Sequence, residues 1–337
     1  MSEQSMRHRF LSLPTDQKLR LDRVPSPHSH LTPVPSLPSS AILDFNNTSI
    51  TVTGDDFEDT CVLGEGFFGR VFKMRLKSTK DSFAVKKIPF CNLDPQNPDM
   101  IADLEIGKLH PHPFLLRSFC AFTCGDAVWI LLELMDISLD VLLNKVKACN
   151  QYIPENVLQH ITFSIVSALY HLRYNMNMLH RDIKPANMLA NKSGEIKLGD
   201  FGTAVTLSNC ETLADVGSWR YLAPERVSCG PVKSCGVKSD VWSLGLSIYE
   251  LATGTNPYEP PRDPVDAFNQ IVNRDPPSLS GDLPYSNHLR EFLNMCLIKE
   301  VGERADYNDL LVSDFIRSID VNCYMLTTAQ FLSNYIS

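Results

Sequence analysis

At 337 residues, 44% of them hydrophobic and 21% charged, the chain is long enough for one two-lobed domain or two small ones, each with a core. Its formal net charge of -8 argues against nucleic acid or an anionic membrane surface as the main partner. No apolar run reaches bilayer-crossing length and the N-terminus is polar and Pro-rich, so no membrane span or signal segment is expected; a cytoplasmic protein, with the nucleus also open to it, fits. The ten Cys contain no C-x-x-C pair, and patterns such as Phe119-Cys120-Ala121-Phe122 read as buried free thiols before zinc ligands or disulfides.

Residues 1–55 read as a disordered Pro/Ser-rich extension, because Pro25, Pro27, Pro33, Pro35 and Pro38 stand too close together for a helix or a central strand. Within it Arg7-His8-Arg9 lies just ahead of Leu11-Ser12-Leu13. That pattern can lie extended on an acidic partner surface with alternate Leu side chains in shallow pockets; an unstructured tail with incidental Arg residues is the plainer alternative. Ser26-Pro27 and Thr32-Pro33 fit a proline-directed kinase at similarly low specificity.

Order is expected from Phe57. Leu63-Gly64-Glu65-Gly66-Phe67-Phe68-Gly69-Arg70-Val71 leads into residues that alternate with period two, which favours a glycine hairpin over nucleotide phosphates rather than the start of a dinucleotide-binding helix. In Phe83-Ala84-Val85-Lys86 an apolar strand delivers the Lys86 ammonium inward, in register to reach the α- and β-phosphates, while Lys87 faces solvent. A helix over 99–110 should carry the acidic partner of Lys86. Counted back from Pro113 that position falls on Asp103, one methylene shorter than Glu, with Glu105 as the alternative. Strands over 119–122 and 128–132 close the smaller lobe. Leu132-Glu133-Leu134-Met135 then reads either as a hinge whose backbone holds adenine, with Leu132 at the back of the pocket, or as an ordinary buried strand end.

From Pro154 a helix starts with Val157, Ile161, Ile165, Ala168 and Leu172 at helical spacing. It carries no chemistry of its own. After it, Leu179-His180-Arg181-Asp182-Ile183-Lys184-Pro185-Ala186-Asn187 sets a carboxylate, a cation and an amide in fixed order, as phosphoryl transfer requires. His-Arg-Asp alone fits a solvated turn with a capping Asp equally well. The second motif changes this: Asp200, thirteen residues beyond Asn187, ends a short apolar strand and opens Asp200-Phe201-Gly202, a second carboxylate suited to a metal. Residues 203–220 form a polar, irregular segment that added phosphate could order against Arg181. Asp240 to Leu251 is apolar almost all round, as a helix buried on every side should be. Asp240 near its start suits the helix dipole and could hold the catalytic loop's backbone. Glu225 needs a buried cation, for which Arg304 is the candidate, and residues 327–336 carry a short amphipathic stripe.

With Gly64 to Val71, Lys86, His180 to Asn187, Asp200 to Gly202 and Ala223-Pro224-Glu225 present in that order, residues 57–317 resemble the eukaryotic protein kinases. The resemblance implies an α+β, bilobal fold, a mostly antiparallel sheet lobe hinged to a mainly helical lobe, with ATP and Mg between them. It implies roles too: Asp182 as base, Lys184 steadying the phosphate, and Asn187 and Asp200 holding metal. Leu63 to Val71, Ala84, Lys86, Asp103, Leu132, Glu133 and Met135 would line the nucleotide site. Trp129 to Asp140, Lys238 to Gly245 and Tyr221 to Arg226 are most similar to the mitogen-activated protein kinase kinases, which phosphorylate Thr and Tyr of a mitogen-activated protein kinase and answer to an upstream kinase.

That family is activated at a Ser and a Thr with three residues between them, a spacing met by Ser208 and Thr212, although only five residues separate Gly202 from Ser208, two fewer than the family pattern. The chain after Asn256-Pro257-Tyr258 lacks a long Pro-rich insert, which points to the stress-activated branch. The resemblance also marks Arg7 to Leu13 as a docking sequence for the substrate kinase and residues 318–337 as a tail with a docking segment for upstream kinases. Two rivals stay open: an ordinary Ser/Thr kinase outside this cascade, and a pseudokinase scaffold, favoured only by Asp103 and the short activation loop.

Overall fold

Ordered structure begins earlier than the proline density suggests. In this computed structural model, which describes residues 37–65, 69–92, 106–108, 110–206, 218–227, 236–259, 262, 265–266 and 269–336, a hairpin of β1 (Ala41–Phe45) and β2 (Thr48–Val52) lies within the stretch expected to be disordered to residue 55. Its turn residues Asn46 and Asn47 both have positive φ, 49° and 60°, as a tight two-residue hairpin turn demands. Leu43 and Val52 are buried, and the Phe45 ring meets Phe83 and Phe119 edge-on at 5.1 and 5.6 Å. The prolines stop at Pro38; from Ala41 onward β-branched and aromatic residues supply an apolar face that average composition conceals. The Arg7 to Leu13 sequence lies outside the described residues.

The hairpin packs on a five-stranded antiparallel sheet made of β3 (Phe57–Glu65), β4 (Arg70–Leu76), β5 (Ser82–Pro89), β6 (Ser118–Cys124) and β7 (Ala127–Leu132), in the order β3-β4-β5-β7-β6. One face of the sheet joins the hairpin in a small core of Met74, Phe83, Val85, Phe122 and Leu131; residues of opposite parity on the central strands, Ala84, Ile130 and Leu132, belong instead to the core shared with the larger lobe. Lys86 has that second parity, opposite Val71 and Ile130. Lys87, one residue on, points the other way and lies over the rings of Phe72 and Trp129 at 4.4 and 4.0 Å.

The larger lobe follows β8 (Ile137–Ser138) with α1 (Leu139–Ala148), α2 (Glu155–Met176), β9 (Met178–Leu179), the hairpin β10 (Met188–Ala190) and β11 (Ile196–Leu198), and β12 (Val205–Thr206). Then come α3 (Pro224–Val227), α4 (Val237–Thr253), α5 (Asn287–Cys296), α6 (Tyr307–Leu311), α7 (Asp314–Arg317) and α8 (Tyr324–Leu332). The helices expected around Val157 and around Asp240 are α2 and α4, and Trp242, Leu244, Leu246 and Ile248 of α4 are fully buried. No helix among the described residues is long and apolar enough to cross a membrane. Of the described cysteines, all free, Cys120 and Cys296 are buried whereas Cys61, Cys91 and Cys149 are exposed, so the buried-thiol reading holds only in part.

The stretch read as a C-terminal tail from residue 318 is built into the larger lobe. Leu332 of α8 is fully buried, and Thr328 Oγ1 lies 2.8 Å from Nδ1 of His160 on α2, with both residues buried. Burial pulls the His160 imidazole down to about 3. Against an unfolded value near 6.5, the unfolded chain takes up a proton that the folded chain refuses as pH falls below about 6.5, and stability is lost down to about pH 3. At pH 5 this one residue should cost about 2 kcal/mol. Urea midpoints at pH 7.5 and pH 5 are expected to differ less in His160→Gln than in the unaltered protein.

Candidate active site

The catalytic loop is held from beneath by Asp240. Its carboxylate accepts the backbone N–H groups of His180 and Arg181, both at 3.0 Å, and the hydroxyl of Tyr307 at 3.2 Å. Burial raises the Asp240 carboxyl above its ordinary range, and the His180 charge interaction and the two amide bonds only partly oppose this. Arg181 adopts φ +71°, which two adjacent amides aimed at one carboxylate help to hold. His180 ties the loop to the second motif: Nε2 donates to the Gly199 carbonyl at 3.1 Å, Nδ1 accepts from the Asp182 amide at 3.3 Å, and the ring meets buried Phe201 edge-on at 5.5 Å.

Asp182 is buried and its carboxylate is engaged at both oxygens. Oδ2 accepts from Lys184 Nζ at 2.7 Å and Asn187 Nδ2 at 3.1 Å; Oδ1 accepts from the Ser218 backbone N–H at 2.9 Å. Burial works to raise this carboxyl, but the Lys184 charge and hydrogen bond together with the Ser218 amide outweigh it and hold the group below its ordinary value. Lys184 also donates to Ser218 Oγ at 2.7 Å. Ser218 is thus a site residue that sequence reasoning missed. It lies thirty-six residues from Asp182, and its only sequence signal is a hydroxyl shortly before Ala223-Pro224-Glu225.

The metal-type donors meet at the open end of the β10–β11 hairpin. Asn187 directly precedes β10, Gly199 follows β11, and the Gly199 amide donates to the Asn187 carbonyl at 2.9 Å, which sets Asp200 beside Asn187. The Asn187 amide nitrogen is committed to Asp182, at 2.7 Å from its carbonyl oxygen and 3.1 Å from Oδ2. Its side-chain oxygen is the atom left to serve a hard cation, and with the Asp200 carboxylate it makes an all-oxygen donor pair suited to magnesium. Asp200 has φ +60° and ψ +71°, a conformation uncommon outside Gly. Lys86 Nζ lies 2.8 Å from Asp200 Oδ1, and that positive charge holds the Asp200 carboxyl well below the usual carboxylate range.

Of the expected nucleotide site, Ala84 and Leu132 are paired across β5 and β7 and both buried. The Glu133 side chain takes both its oxygens to Lys197 Nζ at 2.8 Å and its amide donates to Arg117 O at 2.9 Å, so its contribution to a base falls to its carbonyl. Met135 follows in the strand-free stretch before β8, where a hinge belongs. Leu63, Gly64, Glu65, Arg70 and Val71 lie on the paired strands β3 and β4, with Glu65 and Arg70 in a 3.0 Å ion pair where the hairpin narrows. Gly69 departs from the reading of these glycines as openings for phosphate, since a Cβ there would lie 2.2 Å from the Lys87 carbonyl oxygen; close approach to β5 is what demands glycine. Gly66, Phe67, Phe68, Asp103, Glu105, Ser208 and Thr212 lie outside the described residues. Glu225 and Arg304 are paired as expected, at 2.8 and 2.9 Å through both guanidinium nitrogens.

The family model described as "Protein kinase domain" matches residues 57–316. The chain is 39% identical over 277 residues to MAP kinase kinase mkk-4 of Caenorhabditis elegans, covering 79% of this chain and 75% of that protein. It is 34% identical over 267 residues to human Dual specificity mitogen-activated protein kinase kinase 7, covering 78% of this chain and 63% of that one, and 34% identical over 271 residues to the mouse protein of the same name, half of whose length is covered. A sheet lobe followed by a helical lobe, a buried carboxylate beside a lysine, and an oxygen pair at a hairpin end agree with those matches, and the chain belongs to the protein kinase family and, within it, to the MAP kinase kinases.

Proposed function

We propose that this kinase transfers the γ-phosphoryl group of ATP to a Thr and a Tyr in the activation loop of a mitogen-activated protein kinase, within a stress-signalling cascade. The observation that carries the reading is the Asp182 cradle, an ionised carboxylate held between Lys184, Asn187 and the Ser218 amide, in a chain whose relatives are named MAP kinase kinases. Asp182 accepts the proton of the attacking hydroxyl, and its lowered proton affinity keeps it ionised at neutral pH. Lys184 sets a positive charge beside the transferring group, and Lys86 would align the α- and β-phosphates. Asn187 and Asp200 would hold magnesium, which when bound neutralises the charge developing on the phosphate oxygens. Ser208 and Thr212 are proposed as the sites at which an upstream kinase switches the enzyme on.

The test replaces Ser208 and Thr212 by Asp and incubates the full chain with ATP, magnesium and a panel of catalytically inactive mitogen-activated protein kinases, with phosphates mapped by mass spectrometry. Thr and Tyr in one loop of one panel member are expected to carry phosphate. Phosphate on Thr alone, or on generic substrates only, would make this an ordinary Ser/Thr kinase.

A further inference from the structure

The β10–β11 hairpin is a short, stiff element with the proposed metal ligands at one end and the C-terminal helix at the other. Its three strand pairs, Met188 with Leu198, Leu189 with Lys197 and Ala190 with Ile196, end in a turn whose groups are cross-tied. Asn191 Oδ1 accepts from the amides of Ser193 and Glu195, the Gly194 amide donates to Asn191 O at 2.9 Å, and the Lys192 amide donates to Asp136 at 2.7 Å. Gly194 sits in this turn at φ +86° with its Cα against the backbone of α8. A Cβ there would lie 2.1 Å from the Met325 carbonyl oxygen and 3.0 Å from the Ala329 nitrogen. Those are backbone atoms, so no side-chain rotation relieves the overlap. Nor is α8 free to retreat, being fixed on α2 by buried Leu332, by the Thr328 contact with His160, and by the Tyr324 ring 4.3 Å from that of His160.

We propose that Gly194 is a positioning residue for Asn187 and Asp200: by seating the hairpin turn directly on α8 it sets the place of the metal-binding end, reached at Asp200 six residues further on, up to about 20 Å away along β11. The claim rests on the proposed role of those two residues. Relieving a 2.1 Å contact needs a shift of about 1 Å, and with α8 anchored the hairpin is the part that moves. A shift of that size is enough to spoil paired oxygen donors for a small cation that demands near-ideal geometry. The C-terminal segment thereby communicates with the catalytic cleft without touching it.

The experiment uses Gly194→Asn, because Asn tolerates positive φ yet carries a Cβ, so that the contact with α8 is tested apart from backbone strain. Its control is Gly125→Asn in the β6–β7 turn, where φ is +60° and a Cβ would meet nothing within 4 Å. For each protein the readout is the magnesium concentration at half-saturation of the melting shift produced by ADP, together with kcat at saturating ATP. Gly194→Asn is expected to raise that magnesium midpoint about three- to tenfold, with the ligand-free melting temperature within a few degrees of the unaltered protein, and Gly125→Asn to leave the midpoint unchanged. An unchanged midpoint in Gly194→Asn, or an equal rise in Gly125→Asn, would overturn the proposal. If the unaltered protein shows no magnesium-dependent ADP shift, it is the reading of Asn187 and Asp200 that fails. Should Gly194→Asn not yield folded protein, Leu332→Ala loosens α8 without altering the hairpin; a raised midpoint supports the coupling and an unchanged one overturns it.

Discussion

Replacing Arg304 by Met is expected to remove about 3 to 5 kcal/mol of stability, a fall in melting temperature on the order of 10 °C. The guanidinium is wholly buried and holds five acceptors. NH1 and NH2 meet the two Glu225 oxygens at 2.8 and 2.9 Å, Nε meets Ile298 O at 2.7 Å, and Lys238 O and Lys299 O lie at 2.7 and 3.4 Å. The group also lies over the Trp242 ring at 5.1 Å. Met restores much of the volume, so the loss measures the stranded Glu225 carboxylate and the unpaired carbonyls more than a cavity. Glu225 keeps one partner, Ser239 Oγ at 2.8 Å, which a neutral residue at 225 would not need. The double variant Arg304→Met with Glu225→Leu should therefore be less destabilised than the sum of its parts, as denaturant unfolding of the four proteins of the cycle would show. A loss below 1 kcal/mol for Arg304→Met would place this pair with solvent-screened surface bridges. Because Glu225 directly follows Ala223-Pro224, at the end of the segment that delivers Ser218 to Asp182, activity should fall with stability.

Much of this architecture was legible because local patterns carry it. Period-two alternation marked β4, the apolar run Phe83-Ala84-Val85 ahead of Lys86 marked β5, helical spacing marked α2, and the all-round apolar run from Asp240 marked α4. The Asp240 grip on the catalytic loop and the Glu225–Arg304 pair were also foreseeable, since a charge in an apolar context must find a partner. Other features were hidden where the cause is distant in sequence or diluted by its surroundings. The β1–β2 hairpin follows a Pro-rich stretch whose composition masks the apolar face of Leu43, Ile50 and Val52. Lys86 finds Asp200 across 114 residues, while Asp103 and Glu105, the partners expected for it, lie outside the described residues. Ser218 acquires its role only because the chain returns to the catalytic loop after an intervening segment, and no periodicity reports such a return. The C-terminal stripe was visible, but that its buried side faces His160 is a property of packing.

Changing Asp182 to Asn is expected to lower turnover by several orders of magnitude while leaving fold and nucleotide binding nearly intact. The substitution preserves volume and can keep an acceptor oxygen toward Lys184 or the Ser218 amide, at 2.7 and 2.9 Å in the present arrangement, so the cradle need not collapse. What it removes is the negative charge that receives the hydroxyl proton and offsets Lys184. General-base catalysis alone is worth about 10² to 10⁴ in rate, and the loss of a matched charge in a buried site adds to this. Lys86 and Asp200, which would hold nucleotide and metal, are not bonded to Asp182, and Asn187 keeps its bond to the backbone carbonyl of residue 182 at 2.7 Å even where the 3.1 Å bond to Oδ2 is altered. The measurement is made on one preparation each of the unaltered and Asp182→Asn proteins, recording the melting shift with ATP and magnesium and, in parallel, phosphate transfer to a catalytically inactive mitogen-activated protein kinase. Equal melting shifts with transfer abolished in the variant is the result this account predicts; transfer persisting within tenfold of the unaltered protein would contradict it.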